Sequence, residues 1–101
     1  MSERIVLNRK RLAAFCTMHR IARLSFFGSV LGEQFGPNSD VDILVEFEPG
    51  LRLGLIGMAK LELELTAMLG RKADLRTPSD LSRYFRADVL RHAEVQFAAG
   101  R

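Results

Sequence analysis

From Asn8 onward the chain switches between helical and extended patterns of apolar residues. Leu12, Phe15, Cys16 and His19 recur at the spacing of one helix face. Asn8 can accept a hydrogen bond from the first turn, so a helix is predicted from Arg9 to about Ala22. Leu24, Phe26 and Phe27 then form a short apolar strand that stops at Gly28-Ser29. The stretch from Val30 to Ser39, with Gly32, Gly36 and Pro37, reads as a short helical turn and a loop. From Val41 to Phe47 the period falls to two: Val41, Ile43, Val45 and Phe47 are set against Asp42, Glu46 and the following Glu48. That is a strand with one buried face.

Pro49-Gly50 breaks this strand, and Leu53 to Leu69 reads as a helix with Gly70 as terminator. Lys72 to Arg76 is a third strand. Thr77-Pro78 opens a last helical region through Leu90, with Pro78 where a first-turn proline costs no hydrogen bond. Glu94 to Phe97 fits either a short edge strand or a frayed helix end. The order helix, strand, strand, helix, strand, helix predicts an α+β fold, a small mixed β-sheet flanked by helices. With 101 residues the chain supports one modest core, so residues 1–101 are read as a single domain.

Composition narrows the class. Hydrophobic residues make up 48% and charged residues 27%, the balance of a folded chain. Charge interrupts every apolar run before the roughly 18 residues of a membrane span, and the N-terminus lacks the pattern of a signal peptide. Cys16 is the single cysteine, which excludes an internal disulfide and makes the cytoplasm the expected compartment. Charge is uneven. Residues 1–23 carry six Arg or Lys against one acid, and residues 33–64 carry seven acids against two bases. Such a pattern suits a metal site whose anionic substrate meets arginines, and equally suits solvated helix faces.

The chemistry concentrates between residues 27 and 45. Asp40 and Asp42 stand two apart at the start of a strand, so their side chains project to one face. Adjacent carboxylates repel unless a cation or a proton lies between them, and hard divalent cations with oxygen ligands meet that need. Gly28 ends the preceding strand and permits close approach of a phosphate, while Ser29 offers a hydroxyl and backbone donors. A third acid, Asp74, lies on the third strand, where sheet pairing can bring it to the first two. Taken alone, Asp74 reads as a surface aspartate paired with Arg76 or Lys72.

Together these residues resemble the polymerase-β nucleotidyltransferase superfamily, and within it the minimal nucleotidyltransferases found with HEPN-domain partners. That family's pattern is Gly-Ser after a strand, a spacer, Asp-x-Asp within an apolar strand and a later carboxylate, matched here by Gly28, Ser29, Asp40, Asp42 and Asp74. The segments Leu69–Leu75 and Leu81–Phe85 also resemble that subgroup. The resemblance implies a palm-like fold and two magnesium ions held by Asp40, Asp42 and Asp74. It further implies that Gly28 and Ser29 contact the triphosphate, and that AMP moves from ATP to an acceptor hydroxyl on a HEPN toxin partner. The alternative it implies is an antitoxin-like protein that neutralises the partner by contact, without catalysis. A partner or a dimer mate is expected to complete the site. The chain departs from the pattern at Gly32, where relatives often carry an arginine; Arg71, Arg76 or a partner's arginine would have to compensate.

Other residues read as structural. His19 and His92 lack mates at ligand spacing, and Cys16, Met58 and Met68 read as packing. Tyr84 is expected to be half-buried with a wet hydroxyl. The Arg9-Lys10-Arg11 cluster reads as a solvated helical turn, and direct nucleic-acid binding is not expected because interleaved aromatics are absent.

Overall fold

Asn8 caps the first helix, its side-chain oxygen accepting from the Arg11 amide at 3.0 Å. The computed structural model describes residues 7–32, 36 and 39–99, without the side chain of Ser29. Helix α1 spans Arg9–Met18 and ends four residues short of Ala22. Arg20 adopts a left-handed backbone, φ 59°, and turns the chain directly into strand β1, Ile21–Phe27. The reason is burial: Ile21 and Leu24 are at most 1% exposed and reach the core from an extended backbone. Leu12, Phe15 and Cys16 form the buried stripe as expected, while His19 lies at the helix end beside Glu64.

A 3₁₀ turn, Gly28–Leu31, follows β1, and β2 runs from Val41 to Phe47. Helix α2 covers Leu55–Leu69 and ends at Gly70 in a left-handed conformation, φ 72°. Strand β3 is Ala73–Arg76. The predicted last helix divides in two. A 3₁₀ turn, Pro78–Asp80, is closed by the Asp80 carboxylate, which accepts from the Thr77 amide at 3.0 Å and its hydroxyl at 3.1 Å. Leu81 is extended, and Ser82 then caps helix α3, Arg83–His92. Two local caps five residues apart thus outcompete one continuous helix. The tail is an edge strand, β4, Glu94–Ala98.

The sheet order is β3-β2-β1-β4. Strand β1 pairs antiparallel with β2 and β4, and β2 pairs parallel with β3, so the sheet is mixed as the pattern predicted. One face meets the helices: Leu24, Phe26, Val41, Ile43, Val45, Ala73 and Leu75 pack with buried residues of α1 and α2. The register turns Phe27, Asp42, Leu44, Asp74 and Arg76 to the other face. Met58 and Met68 are partly buried against the core. Among the described residues, no helix is long and apolar enough to cross a membrane.

Candidate active site

Strand pairing brings two of the three predicted carboxylates together. Asp42 and Asp74 are Cα partners in the parallel ladder of β2 and β3, so both project at one level from the face opposite the one that packs on α1 and α2. Both are partly exposed, where a ligand reaches them. Asp40 stands one residue before β2, and its carboxylate lies 3.9 Å from Lys72 Nζ. Among the described residues, no three His, Cys, Asp or Glu side chains are gathered closely enough to ligate one ion. Asp42 and Asp74 are therefore neighbours by register, with Asp40 at the margin.

Gly28 completes this level of the sheet from the other side, because Phe27 pairs with Asp42 across β1 and β2. Its backbone is left-handed, φ 74°. A Cβ added there would lie 3.2 Å from Asp42 Cγ and would collide with its Oδ2. The expected reason for this glycine was room for a phosphate. The structure adds a nearer one: the Asp42 carboxylate itself occupies the space that a side chain would need. Ser29 follows within the 3₁₀ turn, with its side chain outside the described atoms.

The arginines divide into two sets. Arg76 Nε lies 3.3 Å from Asp74 Oδ1 and its Nη2 lies 3.5 Å from Oδ2. Its pKa is raised first by the hydrogen bond to Asp74, then by the charge of Asp74, with Asp42 and Asp80 adding to the effect. Arg76 is thus the cation of the acidic pair, and the surface pairing that Asp74 alone suggested coexists with its place beside Asp42. Arg71 instead donates to the carbonyls of Gly36 and Ser39, fastening the segment that leads into Asp40. Of the two arginines considered as compensating for Gly32, Arg76 stands at the carboxylates and Arg71 braces the approach to them.

Part of the charge asymmetry of the sequence is met by ion pairs on the surface of the fold. Arg20 pairs with Glu48 at 3.2 Å, Arg23 with Glu46 at 3.7 Å and His19 with Glu64 at 3.3 Å. Three members of the basic N-terminal region therefore face acids of the middle region across β1, β2 and α2. Cys16 is fully buried, and desolvation raises its thiol pKa from 9.0 to about 12, which keeps it protonated and unreactive. Tyr84 is 79% exposed, more than the half-burial expected of it, because α3 buries none of its residues.

Periodicity gave no sign of a cleft of about 550 Å³ beyond the carboxylates, at the distal ends of β2 and β3. Glu46, Phe47, Leu53, Met58, Thr77 and Asp80 are among its walls. It is a product of two loops meeting, one after β2 and one after β3. Its volume is within the range of small-molecule sites. Asp42 and Glu46 are separated by four residues of one strand, about 13 Å at the usual rise.

Pairs of carboxylates on neighbouring strands, beside a glycine at a strand end, are a donor set for a hard divalent cation and a triphosphate. Comparison with known proteins bears on the family. Residues 9–95 match the family described as nucleotidyltransferase domain. The chain is 29% identical over 85 residues to "Putative protein adenylyltransferase MJ0435" of Methanocaldococcus jannaschii, across 84% of this chain and 89% of that one. A solved structure described as a "putative minimal nucleotidyltransferase" is 35% identical, with TM-score 0.68, covering 84% of this chain and 85% of that one. A toxin–antitoxin structure with AMP-PNP shares the fold at TM-score 0.73 and 21% identity, covering 92% of this chain and 75% of its own. The α+β sheet, the register at Asp42 and Asp74 and the match over residues 9–95 lead to one assignment: the chain belongs to the nucleotidyltransferase domain family.

Proposed function

We propose that this nucleotidyltransferase moves AMP from ATP to a hydroxyl side chain of a protein, and that the protein is a HEPN-domain partner. The observation that carries the reading is the register of Asp42 with Asp74 beside Gly28. Two relatives support the finer statement. One carries the name protein adenylyltransferase, and a fold neighbour is a tri-AMPylated Shewanella oneidensis HEPN toxin in complex with an MNT antitoxin, at TM-score 0.65 and 18% identity.

In this reading Asp42 and Asp74 would hold magnesium together, and Asp40, at the margin beside Lys72, would have to turn toward them to add a third carboxylate. Held there, a divalent cation would supply charge neutralisation at the phosphoryl oxygens and would lower the pKa of the attacking hydroxyl. Gly28 and the 3₁₀ turn after it leave the triphosphate a path to Asp42. Arg76 offsets the acidic pair before substrate arrives and would meet phosphate charge afterwards. The acceptor hydroxyl attacks the α-phosphorus in line, pyrophosphate leaves, and the acceptor becomes an AMP ester. In this reading alignment of the acceptor falls to the partner. Positioning of that kind accounts for several kcal/mol of a typical rate enhancement.

The exposed residues Tyr84 and Phe85 on α3, 79% and 66% exposed, favour a protein partner and serve both readings, transfer or neutralisation by contact alone. The test is mass spectrometry of the partner after incubation with this protein, ATP and magnesium. The wild-type protein is expected to add AMP, and Asp42→Asn to reduce transfer by about 100-fold or more. A partner that is bound and silenced yet unmodified, equally well by Asp42→Asn, establishes the contact mechanism instead.

A further inference from the structure

Strand β3 lies at the edge of the sheet, and alternate amides of an edge strand point away from its one neighbour. In β3 these are the amides of Ala73 and Leu75, the residues on either side of Asp74. Both are taken by side chains of α2. Thr66 Oγ1 accepts from the Ala73 amide at 2.9 Å, and Glu62 Oε2 accepts from the Leu75 amide at 2.8 Å. Thr66 and Glu62 are four residues apart, one helical turn, and both are half-buried. Helix α2 thus supplies, with two side chains, the hydrogen bonds that a fifth strand would supply. The span they grip is centred on Asp74.

We infer that Glu62 and Thr66 are positioning residues for Asp74. They hold its backbone at the level of Asp42, so that the two carboxylates face a cation together. The inference rests on the reading of Asp74 as a metal-holding carboxylate. Burial of Ala73 and Leu75 pins the strand to the core in depth, each at most 5% exposed. Packing of these apolar side chains does not specify position along the strand; the ladder to β2 does so on the inner side, and the two directional bonds from α2 do so on the outer side. A purely stabilising role would show only as a lower melting temperature. A positioning role shows as weaker metal binding that returns when the acceptor atom is restored.

The experiment is titration of the full chain with manganese in the presence of a non-hydrolysable ATP analogue, followed by electron paramagnetic resonance, with melting temperatures measured alongside. Thr66→Val and Glu62→Ala each remove one acceptor and are expected to weaken manganese binding about tenfold or more, as loss of a ligand's supporting partner does. Thr66→Ser and Glu62→Gln keep an acceptor oxygen and are expected to bind as wild type. The two variants remove different acceptors, so Glu62→Ala gives a reading even where Thr66→Val loses the fold. Leu65→Val, a change in the buried part of the same helix, is the control for stability alone. Wild-type manganese binding by Thr66→Val and Glu62→Ala, with Asp74→Asn weakened, overturns the positioning role and leaves Asp74 as a ligand. Equal weakening by Leu65→Val at the same loss of melting temperature also overturns it. Undiminished binding by Asp74→Asn removes the metal reading of Asp74, and the positioning role with it.

Discussion

Gly28 carries two constraints at once, and they can be separated. Its left-handed φ of 74° disfavours any side chain, and the Asp42 carboxylate fills the space where a Cβ would stand. Alanine there is expected to lose about 1–2 kcal/mol of stability from the backbone alone. The larger effect should be displacement of the Asp42 carboxylate, seen as loss of metal–nucleotide binding in calorimetric titration. Denaturant unfolding measures the first effect and titration the second. Normal ATP binding by Gly28→Ala would mean that the carboxylate can yield without consequence. Arg76 illustrates the opposite case at this scale, because nothing in its sequence context distinguishes it from Lys72 or Arg71. Its pairing with Asp74 follows from the two-residue period of their own strand, whereas the field of Asp42 around it arises only from the parallel ladder.

Among the elements, the junction of α1 and β1 is the most strained connection described. Arg20 is the only non-glycine described with positive φ, and its side chain pairs with Glu48, just past the end of β2. Replacing it by glycine relieves the left-handed backbone and removes an exposed ion pair worth little. Arg20→Gly is therefore expected to leave the midpoint unchanged or raise stability by up to about 1 kcal/mol, measured by thermal unfolding. A marked loss would show that the pair to Glu48 does more than exposed pairs usually do. The same junction explains why the predicted helix ran too far. Helical spacing continued through His19, but burial of Ile21 in the sheet outweighed one more helical turn. At the other end of the chain, the choice between edge strand and frayed helix for residues 94–97 was settled by pairing with β1, a contact between residues some seventy positions apart.

For the whole molecule, the distribution of burial separates a packed core from one exposed helix. The core gathers α1, α2 and the sheet, whereas α3 has no buried residue and exposes Tyr84, Phe85 and Leu90. Helix α3 lies against the rest so lightly that polar replacements on it should cost little. The double variant Tyr84→Ser, Phe85→Ser is expected to keep its stability within about 0.5–1 kcal/mol. It should weaken association with the HEPN partner about tenfold or more, in line with aromatic anchors at protein interfaces. Unfolding and surface-plasmon measurements on the same sample give both answers, and unchanged association would place the partner elsewhere on the molecule.

The sequence alone determined what depends on local spacing. Two-residue periodicity placed Asp42 opposite Val41 and Ile43, helical periodicity placed Leu12, Phe15 and Cys16 inside, and Gly28-Ser29 with Asp40 and Asp42 carried the family resemblance. Tertiary structure decided everything that depends on which strands are neighbours. The parallel register of β2 with β3 set Asp74 beside Asp42, and the antiparallel register of β1 with β2 set Gly28 against the same carboxylate. Side chains of α2 reached the outer edge of β3, and two distant loops met to form the cleft. The physical reason is range. Periodicity reports on the orientation of a side chain relative to its own backbone, whereas a site built from carboxylates on separate strands exists only once long-range burial has chosen the pairing.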